Sequence, residues 1–213
     1  MYTKTIEDIK LERLIKQQEI VLRKTFLTNY NTQQATLDLF KKSIEHCDFN
    51  NLKHNRIIWN LGSYVNIVSY DLKIIGENLL FHKDEWGKRF FARQSALLIY
   101  EAIDDILELA GKKFRTIIDI FSNSQQLKDE LNFLIKEINN YKKEYSEYLK
   151  KIRHNCAAHR DNDSIEQLKI IVAISWSNSI DCMIKFDNIL MLFGVFIQKV
   201  INIELDESTD LPS

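Results

Sequence analysis

Proline and glycine are scarce in this 213-residue chain, which contains one proline, Pro212, and five glycines. Turns and hairpins depend on both residues, because proline presets the backbone of a turn and glycine adopts left-handed conformations. The chain also lacks stretches in which β-branched and polar residues alternate, which is the pattern of a half-buried strand. These absences argue against a sheet and predict an all-α protein.

Cysteine and long apolar runs are equally rare. The three cysteines, Cys47, Cys156 and Cys182, are widely spaced and provide neither a disulfide framework nor the paired ligands of a zinc site. The longest apolar run, 189–197, is far shorter than the roughly 20 residues that span a bilayer. The first residues contain no apolar signal segment. We therefore expect a cytoplasmic protein with no membrane partner.

Apolar residues recur at spacings of three and four along most of the chain, which predicts amphipathic helices. In the first fifty residues this spacing predicts a helix over 5–27, with a capping box that starts at Thr5. A polar stretch at 29–32 predicts a turn, and a second helix follows over 33–46. We expect the pair to form an N-terminal helical appendage over 1–50.

After residue 50 the same period predicts an up-and-down helical bundle over 51–205 and a flexible tail over 206–213. Gly62 and Gly76 lie in its first helix, where the missing side chain lets a neighbouring helix approach closely. The predicted bundle helices cover 52–81, 90–110, 114–121, 125–158 and 164–204, the last interrupted near 175–179.

The predicted helix over 125–158 is the longest, and one of its faces carries Tyr141, Tyr145 and Tyr148 among leucines and isoleucines. Such a face packs on a core. Three tyrosines in a row could also form a platform on which nucleobases stack. The helical period favours the core.

The C-terminal end of that helix is basic, although the chain has a net charge of −1. No acidic residue lies between Glu147 and Asp161. A block of like charge is usually a solvated surface. This block contains Lys150, Lys151, Arg153, Arg160, His154 and His159.

Within the basic block, residues 152–161 read Ile-Arg-His-Asn-Cys-Ala-Ala-His-Arg-Asp. The arginine, the polar residue after it and the second histidine resemble the Arg-x(4–6)-His motif of the HEPN superfamily. Residues 89–105 resemble an early core helix of the abortive-infection branch of that superfamily. The resemblance extends over 51–204, and the first fifty residues have no counterpart in it.

The resemblance implies a helical bundle of the HEPN type and a metal-independent endoribonuclease of a defence or toxin–antitoxin system. It also implies a homodimer whose two motifs meet in one cleft, an RNA substrate, no cofactor and, beside toxin relatives, an antitoxin protein. The motif assigns the reaction to Arg153 and His159. Histidine can act as acid and base near neutral pH, and arginine can donate parallel hydrogen bonds to a phosphate.

His154 and Asn155 complete the predicted catalytic set: His154 could be a second acid or base, and Asn155 would share a helix face with His159. Other residues near the motif receive supporting roles. Glu101 and Asp104 could orient Arg153 or His159, or could simply form salt bridges between helices. Lys150, Lys151 and Arg160 would position the RNA backbone.

The motif spacing limits how its residues can meet. Six positions on an ideal helix place the side chains of Arg153 and His159 about 120° apart. The helix must therefore loosen near 157–159, or the site must combine residues from two copies of the chain.

Three alternatives remain open. His159, Asp161 and Asp163 could offer ligands to a divalent ion, although the glycine and distal glutamate of a calcium loop are absent. The chain could be a non-catalytic HEPN-like module that binds RNA, nucleotide or protein. It could also be a helical scaffold in which Arg153 and His159 have structural roles.

Overall fold

The protein is described by a computed structural model over residues 4–154 and 164–209. Within these ranges the chain is all helical and contains no strand, which confirms the all-α prediction. None of the described helices is long and apolar enough to cross a lipid bilayer. The helices are α1 (Ile6–Phe49), α2 (Lys53–Phe81), α3 (Glu85–Leu109), α4 (Lys112–Ile118), α5 (Ser124–Ile152), α6 (Ser164–Ala173) and α7 (Trp176–Thr209).

Helix α1 is continuous over its 44 residues, so the predicted turn at 29–32 is wrong. The polar stretch has no proline or glycine to break the helix. The hydroxyls of Thr28 and Thr32 donate to carbonyls four residues earlier, which satisfies them within the helix. Tyr30 donates to the carboxylate of Glu77 in α2 at 2.6 Å, and this contact between helices holds the segment straight.

Helix α1 runs antiparallel to α2. Asp48 near its C-terminus pairs with Arg56 at the start of α2, at 2.5 Å. Arg23, much earlier in α1, places its guanidinium 3.9 Å from the ring centre of Phe81 at the end of α2. The division of the chain at residue 50 stays a prediction.

The buried carboxylate of Asp8, in the first turn of α1, joins α1 to the start of α7. The predicted capping box is present, since Asp8 and Thr5 exchange backbone-to-side-chain hydrogen bonds at 3.0 Å. The same carboxylate accepts the N–H of Ser177 at 3.0 Å and the hydroxyl of Ser175 at 3.1 Å, at the start of α7. Four residues along α1, Glu12 pairs with Lys88 of α3 at 3.5 Å.

Helix α2 lies between α1, α3 and α7, and its two glycines are close-packing points as predicted. A Cβ on Gly62 would lie 2.7 Å from the Phe40 ring of α1 and 3.1 Å from Ile197 of α7. A Cβ on Gly76 would lie 3.2 Å from Met183 of α7. The helix is interrupted at Ile174 and Ser175, between α6 and α7, next to the predicted interruption.

Helix α5 presents its predicted face to the core. The tyrosines on this face hydrogen-bond to α7: Tyr141 donates to the carbonyl of Cys182 at 3.0 Å, and the hydroxyls of Tyr148 and Ser179 lie 2.7 Å apart. These contacts favour the core interpretation over a stacking platform. In the described part of the chain α1 is longer than α5, contrary to prediction. The buried leucines and isoleucines of this face are Leu127, Leu131, Leu134, Ile138, Leu149 and Ile152.

Candidate active site

The basic block begins where α5 ends, and its first arginine is held by α3. Arg153 lies directly after Ile152, and its Nε–H donates to the Glu101 carboxylate at 2.5 Å. The Arg153 side chain is 20% exposed, against 49% for Glu101. An ion pair of this kind fixes the direction of the guanidinium while leaving one side of it open to solvent. The contact is the geometry that an orienting role for Glu101 requires.

Tyr100, the residue before Glu101, contacts the same guanidinium through its aromatic ring. The Arg153 Cζ lies 4.8 Å from the centre of the Tyr100 ring, within the range of a cation–π interaction. The His154 ring stands edge-on to the same ring, with centroids 6.5 Å apart and planes at 87°. Tyr100 therefore contacts two consecutive residues of the motif.

Sequence reasoning missed Tyr100. The available signal was its position beside Glu101 in the segment 89–105, but an aromatic residue on an amphipathic helix usually indicates core packing. Only the way α3 crosses α5 reveals that its ring lies under Arg153.

The solvent-facing side of α3 next to this site is acidic. Glu101, Asp104, Asp105 and Glu108 are all exposed on its C-terminal half. Asp105 accepts a hydrogen bond from Tyr64 of α2 at 2.5 Å, and burial, followed by this bond, raises the pKa of Tyr64. The groove of about 310 Å³ between α2 and α3 here includes the carboxylates of Asp105 and Glu108, which disfavour a phosphate backbone.

Asp104 does not contact Arg153 as Glu101 does. It pairs with Lys142 of α5 at 2.5 Å, and both side chains are largely exposed. This is the ordinary salt bridge between helices that the sequence also allowed. A contact between Asp104 and His159 lies outside the described residues.

The N-terminal half of α3 carries a second group of cations, on the core side of the helix. Arg89 is fully buried and pairs with Glu85 at 2.6 Å. Arg93 is 7% exposed and donates through Nε to the carbonyl of Arg89 at 3.3 Å. Arg93 and Tyr100 are two helical turns apart, so they lie on the same side of α3.

The remaining predicted site residues divide into two groups. Lys150 and Lys151 are exposed on the last turn of α5. Asn155, His159 and Arg160 lie outside the described residues, as do Asp161 and Asp163 of the metal alternative. Among the described residues, no group of three or more histidines, cysteines or carboxylates is placed to hold a metal ion.

Neither the protein-family models, nor the curated proteins, nor the solved structures contain a match to this chain. Membership of the HEPN superfamily therefore stays a prediction, carried by the resemblance of residues 89–105 and 152–161.

Proposed function

We propose that the protein is a metal-independent endoribonuclease of a defence or toxin–antitoxin system, with a composite active site at a homodimer interface. The observation that carries this proposal is the Arg153 guanidinium held between Glu101 and Tyr100. The ion pair uses Nε. The two terminal amino groups of an arginine are the donors that would make parallel hydrogen bonds to a phosphate.

The reaction needs three chemical groups. A base takes the proton from the ribose 2′-hydroxyl, whose oxygen attacks the neighbouring phosphorus. The bond from phosphorus to the 5′-oxygen breaks, and an acid gives that oxygen a proton. His159, with His154 as the second candidate, supplies base and acid, and Arg153 stabilises the charge on the pentavalent phosphate.

The electrostatics of the site favour approach of RNA from the α5 side. The C-terminal end of a helix carries a partial negative charge, so Lys150, Lys151 and Arg153 are stabilised as cations there. The acidic side of α3 repels the backbone from the other direction. Together they leave the end of α5 as the path for a single strand.

A homodimer is one of the two arrangements that satisfy the motif spacing, the other being a helix that loosens near 157–159. Because Arg153 and His159 diverge by about 120° on a regular helix, one copy would not aim both at one phosphate. A two-fold arrangement would place the histidine of one copy beside the arginine of its partner. An antitoxin protein would then act by covering this cleft or by separating the copies.

The test is cleavage of single-stranded RNA by the purified protein in EDTA. We expect Arg153→Ala and His159→Ala to abolish cleavage while circular dichroism and the unfolding midpoint stay unchanged. Arg56→Ala and His54→Ala are the matched controls, because both residues are exposed on α2 and distant in sequence from the motif.

Two results would contradict the proposal. RNA binding that depends on Arg153 without any cleavage would identify the non-catalytic module. A chain that stays monomeric by analytical ultracentrifugation at high concentration, yet cleaves, would refute the composite site.

A further inference from the structure

We propose that Tyr100 is the positioning residue of this site, whose ring sets the plane of the Arg153 guanidinium and the orientation of His154. The inference rests on the proposed function, because it concerns how the arginine is presented to a phosphate. It adds a residue from α3 to a motif that lies at the end of α5.

The first step is the geometry of Arg153. A long arginine side chain at a helix end has many rotamers, and a single ion pair restrains its position but not the rotation of its plane. Glu101 holds the guanidinium by its edge, through Nε at 2.5 Å. The Tyr100 ring is a second contact, with the Arg153 Cζ 4.8 Å from the ring centre. Two contacts from different directions restrict the rotation that the ion pair alone would leave.

The second step is the position of His154. Its ring stands perpendicular to that of Tyr100, at 87°, with centroids 6.5 Å apart. An edge-to-face pair is a preferred aromatic arrangement and resists rotation of the smaller ring. One aromatic side chain therefore contacts both a permanent cation and an imidazole.

The third step is the rigidity of the support. Tyr100 is half-buried, and its neighbours Ile99, Ala102 and Ile103 are almost completely buried in the core. At its other end, helix α3 is joined to α1 by the ion pair of Lys88 and Glu12, at 3.5 Å. The Tyr100 ring therefore keeps its position when the Arg153 side chain changes conformation.

The contacts of Tyr100 with Arg153 and with His154 are both made by its ring. This distinguishes Tyr100→Phe, which keeps the ring, from Tyr100→Leu, which removes it. A positioning role predicts that the first variant behaves as the wild type and the second does not.

The matched control removes a cation–π pair elsewhere. Arg23 lies 3.9 Å from the centre of the Phe81 ring, between α1 and α2, and Phe81 is half-buried like Tyr100. Phe81→Leu therefore loses the same kind of contact at a site that is distant in sequence from Arg153 and His154. A merely structural role for Tyr100 would make the two leucine variants behave alike.

The experiment has two readouts on the full-length chain. The first is the rate of RNA cleavage in EDTA as a function of substrate concentration. Because a displacement of about 1 Å can cost roughly 100-fold in rate, we expect Tyr100→Leu to lower kcat by roughly 10- to 100-fold with little change in KM. Tyr100→Phe and Phe81→Leu should stay within about 2-fold of the wild type.

The second readout does not depend on cleavage. In ¹⁵N NMR spectra, a guanidinium that is held by an ion pair and an aromatic ring shows an Nε–H signal protected from exchange and slow rotation of its amino groups. We expect this signature for Arg153 in the wild type and in Tyr100→Phe, and its loss in Tyr100→Leu. Retention of the signature together with wild-type kcat in Tyr100→Leu would overturn the inference.

The two readouts separate failure of the inference from failure of the function. If no variant cleaves RNA, the ribonuclease proposal fails, and the NMR signature with the affinity for a 2′-O-methyl oligonucleotide decides the role of Tyr100. Loss of both signature and affinity in Tyr100→Leu alone supports the positioning role. Equal affinity in Tyr100→Leu and Tyr100→Phe refutes it.

Discussion

The carboxylate of Asp8, in the first turn of α1, accepts the backbone N–H of Ser177, in the first turn of α7, at 3.0 Å. The two residues lie 169 positions apart in the chain. A single buried side chain thus caps both helices, because its second oxygen accepts the N–H of Thr5 at 3.0 Å.

Replacing Asp8 by alanine should destabilise the protein by about 2–3 kcal/mol, since it leaves two N–H groups without their charged acceptor. The free energy of unfolding in urea measures the loss. Asp38→Ala is the control, because Asp38 is exposed on the same helix and accepts only a long hydrogen bond from Gln34 at 3.5 Å. An equal decrease in the free energy of unfolding in the two variants would show that capping of both helices by Asp8 does not stabilise the protein.

The contribution of Asp8 should depend on pH. Burial alone raises the pKa of Asp8, but the hydrogen bonds from Thr5 and Ser177 outweigh it and hold the pKa below the ordinary value of 3.8. Because the folded pKa is the lower one, the stabilisation is complete above the unfolded value and is lost as pH falls through the folded value. The difference in unfolding free energy between wild type and Asp8→Asn should therefore be constant from pH 7 to 5 and shrink below pH 4. A difference that grows on acidification would contradict this sign.

Alanine at Gly62 and at Gly194 should have opposite effects. Both glycines are helical, but a Cβ on Gly62 would lie 2.7 Å from the Phe40 ring, whereas a Cβ on Gly194 meets nothing within 4 Å. Overpacking at Gly62 should cost about 1–2 kcal/mol, and the gain in helix propensity at Gly194 should stabilise by about 0.5–1 kcal/mol. The free energy of unfolding in urea measures both effects. In a Phe40→Leu background, Gly62→Ala should lower the free energy of unfolding by less than it does in the wild type. An equal loss in both backgrounds would show that Phe40 is not the residue that the new Cβ meets.

Tyr30 should stabilise the middle of α1 through its hydroxyl. Burial, followed by the hydrogen bond to Glu77 at 2.6 Å, raises the pKa of Tyr30. We expect Tyr30→Phe to cost about 1 kcal/mol and Tyr70→Phe less than about 0.5 kcal/mol, because the Tyr70 hydroxyl has no partner among the described residues. A double-mutant cycle with Glu77→Gln measures the coupling between the two groups. Additive losses would show that the bond does not hold the helices together.

Loss of the carboxylate charge at Glu101 should reduce RNA cleavage roughly 10-fold, because Arg153 loses the charged acceptor of its Nε–H. Glu101→Gln is the variant and Glu45→Gln the control, since Glu45 is an exposed glutamate on α1 that pairs with Lys41. The measurement is kcat in EDTA. Equal rates in both variants would mean that the ion pair has no part in orienting the arginine.

Local signals in the sequence predicted much of the fold. The capping box at Thr5, the limits of α2 and the break before Trp176 depend on residues within a few positions of each other. The continuity of α1 could not be predicted in this way, because the contact of Tyr30 with Glu77 joins residues 47 positions apart. A polar stretch reads as a turn until its tertiary partner is known.

The candidate site shows the same limit. The basic block and a contact from Glu101 followed from residue types and charge. The ring of Tyr100 did not, because its place under Arg153 depends on the angle at which α3 crosses α5 and on neither local sequence. His159 lies outside the described residues, and its place in the site stays a prediction.

The link between Asp8 and Ser177 has a consequence for how the chain is made. At synthesis rates of about 5–20 residues per second, the first turn of α1 leaves the ribosome roughly 10–30 seconds before Ser177 does. During that time the Asp8 carboxylate has its own helix to cap but no second one. Until α7 is made, the nascent protein must therefore hold its longest described helix in place through α2 and the Glu12–Lys88 pair with α3.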